Sequence, residues 1–176
     1  MNTLLAHVAA SDDRISDRLR AWMPPPWVRA WMLSSTRMGD GWLWVSCGLL
    51  LWTRGATHLR TLGAGLLAAG LASLTFMLLK RRIRRPRPCD RAPHPAFADV
   101  RAPDRYSFPS GHTINAFALA ALLCLRHPGL AGLLLPVAAS IGASRVVLGL
   151  HYASDVVAGA VLGGLIGSCV YILLLA

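Results

Sequence analysis

The chain is poor in acidic side chains, with 8 Asp and Glu residues against 18 Lys and Arg, and the acidic residues form no cluster. Magnesium is held in proteins mainly by carboxylate oxygens, so we expect no magnesium site. The 4 cysteines include no Cys-x-x-Cys pair and no Cys/His spacing typical of zinc ligands. We therefore expect neither a metal ion nor another cofactor.

A secretion signal and a nucleic-acid-binding pattern are also missing. The N-terminus carries Asp12, Asp13 and Asp17 and no basic stretch before an apolar run, so we expect no cleavable signal peptide. The basic residues are not interleaved with aromatic residues that could stack on bases, so we expect no nucleic-acid partner. No sequence feature indicates an oligomeric state.

Apolar residues dominate the composition of the chain. Of 176 residues 55% are hydrophobic, and the mean hydropathy of +0.49 is high for a soluble domain. A membrane-spanning helix needs about 20 apolar residues, so the length suits one compact unit of about five spans. We therefore predict an all-α, polytopic transmembrane helical bundle with spans near residues 38–53, 59–79, 108–125, 130–150 and 154–176.

The predicted organisation has two parts, an N-terminal segment at residues 1–37 and a transmembrane domain at residues 38–176. Apolar and charged residues alternate over residues 3–22, which is typical of a helix in the membrane interface and also of a simple polar lead-in. Three prolines at 24–26 end any helix there. Residues 27–37 are the candidate for a further span.

Three short motifs carry the chemistry, and the first is Lys80-x6-Arg87-Pro88. Its two cations can converge on phosphate oxygens, one as a point charge and one as a planar fork. Pro86 and Pro88 predict that the preceding helix ends before Arg87. Basic residues also flank membrane helices in general, so this motif taken alone is better explained as a flanking charge cluster.

The second motif is Pro109-Ser110-Gly111-His112, at the start of the third predicted span. Ser110 is suited to cap that helix, and Gly111 lets backbone N–H groups approach an anion at its positive end. His112 then lies in the first turn, beside the anion. A plain helix cap with an interfacial histidine explains the same residues.

The third motif is Ser144-Arg145-x5-His151-x3-Asp155. Arg145 falls inside an apolar span, where an unpaired charge is unfavourable. His151 and Asp155 would share one face of a continuous helix, and the carboxylate would then hold the imidazole in one tautomer with its other nitrogen free to attack. Taken singly, Asp155 is also explained as a helix cap and Arg145 as a snorkelling side chain.

Spans that alternate in direction place all three motifs at one membrane face, where they form a candidate site for two-step phosphoryl transfer. In this hypothesis His151 attacks phosphorus, Asp155 orients His151, and His112 protonates the leaving oxygen and then activates water. The phosphoryl oxygens are neutralised by five groups, namely Lys80, Arg87, Arg145, Ser110 and the backbone at Gly111.

At these motifs the chain resembles the type 2 phosphatidic acid phosphatase family of integral-membrane lipid phosphatases, whose pattern it matches without a substitution. The resemblance implies a phosphatase/haloperoxidase-like helical core, metal-independent hydrolysis, a histidine nucleophile at His151 and an acid/base at His112. It also implies six spans, one more than the apolar runs predict. The small size and compact loops suggest a bacterial enzyme.

The expected substrate is a lipid phosphate or pyrophosphate that is hydrolysed through a phosphohistidine. Candidates are polyprenyl pyrophosphates such as undecaprenyl pyrophosphate, phosphatidic acid, phosphatidylglycerol phosphate and lipid A phosphates. A non-catalytic lipid-phosphate binding protein and a transporter are the alternatives, although His112 and His151 are both intact and no inverted repeat is present. Vanadium haloperoxidases and acid phosphatases share the phosphate-binding pattern but are soluble.

The distribution of charged residues and the family resemblance predict opposite sides of the membrane for the site. Residues 80–105 contain nine cations, and the positive-inside rule places such loops in the cytoplasm. The resemblance implies the outward face. We expect a multi-pass protein of the bacterial inner membrane whose site faces the periplasm.

Overall fold

The computed structural model describes residues 2–53, 55–100, 102 and 104–176, and every regular element among them is helical. The all-α prediction is therefore confirmed. In chain order the helices are α1 Asn2–Ala21, α2 Pro26–Met38, α3 Trp42–Thr53, α4 Ala56–Ile83, α5 Pro88–Arg91, α6 Gly111–Arg126, α7 Ala131–Val147 and α8 Ala153–Leu174.

Four predicted spans coincide with α4, α6, α7 and α8 to within a few residues at each end. The first predicted span, near 38–53, is wrong at its start. A turn at residues 39–41 ends α2 and separates it from α3, and Gly41 adopts a φ of 107° there. Glycine has no Cβ and adopts such a positive φ readily, so the chain changes direction at this point.

Three helical segments of the described chain are long and apolar enough to cross a membrane, His58–Arg91, Pro128–Val147 and Ala153–Leu174, while Gly111–Arg126 is a shorter apolar helix. Many large apolar side chains of these helices are exposed, as expected where the surrounding solvent is lipid. Residues 27–37, the candidate for a further span, lie in α2. That helix has 13 residues, which is about 20 Å at 1.5 Å per residue.

The centre of the bundle is α6, which packs on α4 and α7 and most extensively on α8. Gly159, Gly163 and Gly167 form the face of α8 that meets α6. A Cβ placed on Gly163 would lie 2.2 Å from the carbonyl oxygen of Ile114, and one on Gly167 would lie 2.0 Å from that of Ala118. Only glycine permits this approach, so the four-residue spacing in the sequence does mark a helix-packing face.

The end of α4 turns the chain back toward the bundle. Arg84 follows the last helical residue in the left-handed conformation, and Pro86 disfavours a helical conformation for Arg85. Lys80 therefore lies in the last turn of α4, while Arg85 and Arg87 lie in extended chain beyond it. The prediction that the helix ends before Arg87 is confirmed.

Candidate active site

Four helix termini meet at one end of the bundle, namely the ends of α4 and α7 and the starts of α6 and α8. Each of the three motifs follows or precedes one of these termini. Arg87 Nη1 lies 3.1 Å from His151 Nε2, which joins the first motif to the third. The backbone N–H of Ser110 donates to the carbonyl of Asp155 at 3.2 Å, which joins the second to the third.

His151 lies at the buried centre of this cluster, in the short connection between α7 and α8, and only 1% of it is exposed. Its Nε2 faces Arg87, and its backbone N–H donates to the carbonyl of Arg145 at 3.0 Å. Burial lowers the pKa of the His151 imidazole to about 3, against the opposing effect of the Asp155 carboxylate. The ring is therefore neutral near pH 7, as a nucleophile must be.

The relation of His151 to Asp155 differs from the prediction. The two residues do not share a helix face, because α8 begins at Ala153 and His151 precedes it. His151 Nδ1 lies 3.7 Å from Asp155 Oδ2, beyond hydrogen-bond distance. The same Oδ2 accepts the backbone N–H of Tyr152 at 2.9 Å, so Asp155 also caps α8, which was the alternative explanation for it.

Lys80 and Arg87 converge as predicted, and one carboxylate already bridges them. Asp104 Oδ2 lies 2.7 Å from Lys80 Nζ, and its Oδ1 lies 3.0 Å from Arg87 Nη2. Partial burial opposes the shift, but Lys80 and Arg87 hold the pKa of the Asp104 carboxyl below its usual value. A carboxylate in this position marks where an anionic ligand of the two cations would lie.

Arg145 is buried near the end of α7, and one of its donors is left without a partner. Its Nη1 donates to the hydroxyl of Thr36 on α2. Arg145 Nε and His151 Nδ1 are buried and make no hydrogen bond with any described residue. Buried polar atoms are nearly always paired in folded proteins, so Arg145 Nε, which has no partner among the described residues, points to a group that binds there.

The second motif forms the remaining wall of the site. Ser110 occupies the N-cap position of α6, but its hydroxyl accepts the Thr113 hydroxyl at 2.8 Å and caps no backbone N–H, so the predicted capping bond is wrong. Gly111 packs against the ring of Phe76, which lies 3.4 Å from where a Cβ would be. His112, in the first turn of α6, directs Nε2 at Asp40 Oδ1, 2.8 Å away.

Sequence reasoning missed a second set of residues that contact the motifs. Arg85 Nη1 donates to Asp155 Oδ1 at 2.7 Å, and its Nη2 donates to Asp12 of α1 at 2.8 Å. Asp12 also accepts the backbone N–H and the hydroxyl of Ser154. Asp40, Thr36 and Asp104 belong to this set as well. The one signal in the sequence is the scarcity of carboxylates in so basic a chain.

An apolar groove of about 560 Å³ opens beside His112, between α3, α4 and α6. Its polar end is formed by Asp40 and by Asn115, which lies one turn beyond His112 on α6. Its walls are apolar and include Trp44, Val45, Leu62, Leu66, Leu119 and Leu123. The groove therefore extends from the apolar part of the bundle to Asp40, the residue that contacts His112.

The fold and the cluster define an all-helical integral membrane protein whose polar site, at one end of the bundle, is suited to an anion. Residues 59–175 match the PAP2 superfamily. The decaprenylphosphoryl-5-phosphoribose phosphatase of Mycobacterium tuberculosis (strain ATCC 25618 / H37Rv) is 40% identical over 134 residues, which cover 74% of this chain and 70% of that protein.

Two solved structures share the fold. The PAP2 type phosphatidylglycerolphosphate phosphatase of Bacillus subtilis superposes with a TM-score of 0.74 at 27% identity, over 95% of this chain and 86% of that one. Aquifex aeolicus LpxE gives a TM-score of 0.71 at 25% identity, over 88% of this chain and 92% of that one. The chain belongs to the PAP2 superfamily and is a membrane lipid phosphatase of that type, which confirms the resemblance drawn from its motifs.

Proposed function

We propose that the protein hydrolyses the phosphate or pyrophosphate group of a membrane lipid in two steps, through a phosphohistidine at His151. Nε2 of His151 attacks phosphorus, the bond from phosphorus to the lipid oxygen breaks, and His112 gives that oxygen a proton. Water then attacks the phosphohistidine, His112 takes a proton from it, and the bond to Nε2 breaks to release phosphate.

The observation that carries this proposal is the surroundings of His151. A neutral, buried imidazole lies 3.1 Å from a buried guanidinium, and Lys80 and Arg145 lie in the same cluster. Such cations stabilise the charge that develops on phosphoryl oxygens, and they act most strongly where water is excluded. In the proposal the phosphoryl group displaces Asp104 from Lys80 and Arg87, and Ser110 and the backbone at Gly111 bind it as well. Arg87 Nη1 transfers its hydrogen bond from His151 Nε2 to a phosphoryl oxygen, which frees the lone pair of Nε2 for attack.

Asp155 is proposed to hold Nδ1–H of His151 and to stabilise the positive charge of the ring after attack. Its Oδ2 is 3.7 Å from Nδ1, and catalytic hydrogen bonds of this kind are often long until substrate binds. The buried, unpartnered Nδ1 among the described residues supports this role.

The apolar groove supports a lipid as the substrate, with the tail along α3, α4 and α6 and the phosphate at the polar end. The relatives named above are a phosphatase of decaprenylphosphoryl-5-phosphoribose, which contains a polyprenyl chain, and a phosphatase of phosphatidylglycerolphosphate, as their names state. We infer that a polyprenyl-linked phosphate or pyrophosphate, such as undecaprenyl pyrophosphate, is the first substrate class to test, followed by phosphatidic acid and phosphatidylglycerol phosphate.

Location in the bacterial inner membrane, with the site on the periplasmic side, is also a proposal. Several cations of the basic segment 80–105 are neutralised by carboxylates, because Lys80 and Arg87 pair with Asp104, Arg85 with Asp12 and Asp155, and Arg91 with Asp13. The positive-inside rule counts Lys and Arg residues and gives carboxylates little weight, so these pairs do not cancel its preference for the cytoplasm. The outward orientation is supported instead by the family resemblance and by the proposed use of Lys80 and Arg87 as phosphate-binding residues. We likewise propose that the segment 1–37 lies in the membrane interface, next to the site.

A reporter fused after Ala176 tests the orientation. Since α8 starts at the site and runs away from it, an outward-facing site requires a cytoplasmic C-terminus. An alkaline phosphatase fusion should then be inactive and a green fluorescent fusion bright. The reverse pattern would place the site in the cytoplasm.

The reaction is tested by phosphate release from purified protein in detergent, with excess EDTA and a panel of polyprenyl and glycerolipid phosphates. We expect release from one lipid class and its loss, by a factor of about 10³ or more, in His151→Ala. His127→Ala is the matched control, because His127 lies at the opposite end of α6, and it should retain full activity. Trapping of radiolabelled phosphate on the protein in an acid quench would identify the phosphohistidine.

Retained turnover in His151→Ala would contradict the nucleophile assignment. An absence of turnover with every lipid, in wild-type protein shown to be folded, would favour a binding role on a phosphatase fold. In that case, equilibrium binding of the same lipids is the measurement that separates a binding protein from an inactive preparation.

A further inference from the structure

The corner between α2 and α3, residues 36–41, contacts two residues of the catalytic motifs although it carries no motif itself. Thr36 accepts a hydrogen bond from Arg145, and Asp40 contacts His112. The corner also precedes residues 59–175, the part of the chain that matches the family. We infer that Asp40 is a positioning residue that fixes the tautomer and orientation of His112 for acid/base catalysis. This inference rests on the proposed function.

The geometry of the pair assigns the hydrogen atoms. Asp40 Oδ1 lies 2.8 Å from His112 Nε2, and an ionised carboxylate can only accept a hydrogen bond. Nε2 therefore carries a hydrogen that it donates to Asp40, and Nδ1 becomes the nitrogen that exchanges a proton with substrate and water. The carboxylate also stabilises the imidazolium form that must exist before the leaving oxygen is protonated.

The backbone of the corner is shaped for this contact. A Cβ on Gly39 would lie 2.6 Å from His112 Cδ2 and 2.9 Å from Ile141 Cγ2, so any larger residue would push the corner away from His112. The next glycine, Gly41, adopts a positive φ of 107° and allows the chain to enter α3 directly after Asp40. Asp40 is thus held beside His112 by the backbone on both sides of it.

Among the described residues, Asp40 is the carboxylate that contacts His112 directly, and its negative charge opposes the positive charges around that ring. Lys80 from α4 and Arg145 from α7 act on His112 with positive charge, and Asp40 from the corner acts with negative charge. The two cations, needed for the phosphate, disfavour a protonated His112. Asp40 opposes this effect of the two cations and of the burial of the ring.

The proton balance of the two steps follows. In the first step His112 is protonated on both nitrogens and passes the Nδ1 proton to the lipid oxygen as the bond to phosphorus breaks. It is then neutral, with Nε2–H still donated to Asp40. In the second step Nδ1 accepts a proton from the attacking water, and the imidazolium is restored. Asp40 accepts the hydrogen bond from Nε2 in both steps and transfers no proton.

Asp40→Asn tests the inference, because the amide keeps the size of the side chain and removes its charge. We expect kcat to fall by about tenfold or more, part of the 10²–10⁴ that general acid–base catalysis contributes, while KM changes by less than about threefold. We also expect the alkaline limb of the pH–rate profile to move to lower pH, because the protonated ring loses its stabilising charge. Asp40→Glu, which keeps the charge, should restore much of kcat.

Asp99→Asn is the matched control, because Asp99 is also an exposed carboxylate, pairing with Arg29 away from the site. It should leave kcat and the pH profile unchanged. A double-mutant cycle separates positioning from a general structural role. In a His112→Ala background, whose residual turnover is measured first, Asp40→Asn should cost no further activity. An additional loss of tenfold in that background would overturn the inference.

A measurement independent of turnover keeps this inference separate from the proposed function. Nitrogen NMR of protein with labelled histidine reports the tautomer, and the signal of His112 is identified by its absence in His112→Ala. We expect the Nε2–H tautomer in wild-type protein and a mixture of tautomers in Asp40→Asn. A mixture already present in the wild-type protein would overturn the inference, whether or not a lipid substrate has been found.

Discussion

The two histidines of the site are held in different ways. His151 is 1% exposed, and its polar partners among the described residues are Arg87, Asp155 and the backbone carbonyl of Arg145. The side chain of His112 is 18% exposed, beside an apolar groove, and its partner Asp40 comes from a corner that contains no motif. The proposed nucleophile is thus surrounded by the motifs themselves, whereas the proposed acid/base contacts a part of the chain that the motifs do not describe.

The surroundings of the two histidines are also expected to contribute differently to the stability of the protein. On the side of His151, ion pairs between Arg85, Asp12 and Asp155 join α1, the chain after α4 and the start of α8. Removal of one charge there leaves others buried and unpaired, which is strongly destabilising. On the side of His112, Asp40 is half exposed, so its loss leaves no buried charge. We therefore expect changes near His151 to affect folding and turnover together, and changes near His112 to affect turnover alone.

The largest effect that tests this contrast is expected for Arg85→Ala. Loss of the guanidinium leaves the carboxylates of Asp12 and Asp155 without their partner, so the free energy of unfolding should fall by about 3 kcal/mol. The thermal midpoint in detergent should drop by about 5 °C or more, and kcat should fall as well, because Asp155 loses its fixed position. Arg91→Ala is the control, since Arg91 makes an exposed pair with Asp13.

A thermal midpoint for Arg85→Ala equal to that of the wild-type protein would contradict the expected difference in stability between the surroundings of His151 and those of His112. So would Asp40→Asn if it lowered the midpoint as much as Arg85→Ala does. Circular dichroism melts of all three variants and the wild-type protein, in one detergent, are sufficient for the comparison.

A smaller effect, on the affinity for anions, is expected for Asp104→Asn. This variant tests the part of the site that is proposed to bind the phosphate. Asp104 is 40% exposed and bridges Lys80 and Arg87, so it competes with any anion that these cations bind. Because the carboxylate is solvent-accessible, its pairing contributes about 1 kcal/mol or less, which corresponds to a change of up to about fivefold in affinity. Inorganic phosphate and vanadate should therefore inhibit the variant at lower concentrations than the wild-type enzyme. Weaker inhibition would show that Asp104 aids anion binding.

Several parts of the structure could be predicted because their causes are local in the sequence. Long apolar runs positioned α4, α6, α7 and α8, and Pro86 and Pro88 set the end of the helix before Arg87. Glycines at four-residue intervals marked the packing face of α8. Each of these features depends on residues that are neighbours in the chain or on the same helix.

The contacts that complete the site could not be predicted in this way. Asp12 and Ser154 are 142 residues apart, and Asp40 and His112 are 72 apart, so only the packed bundle brings them together. The prediction that His151 and Asp155 share a helix face failed for a local reason. Four-residue spacing predicts a shared helix face only if the helix is continuous, and α8 begins after His151.

The contact between α6 and α8 has a consequence for the geometry of catalysis. Gly163 lies eight residues after Asp155 and therefore about 12 Å from the site along the helix axis, yet it sets how closely the helix carrying His112 approaches the helix that follows His151. A side chain at Gly163 would wedge the two helices apart and lengthen the distance between the two histidines. A packing contact in the middle of the bundle thus sets the distance between two histidines at its end.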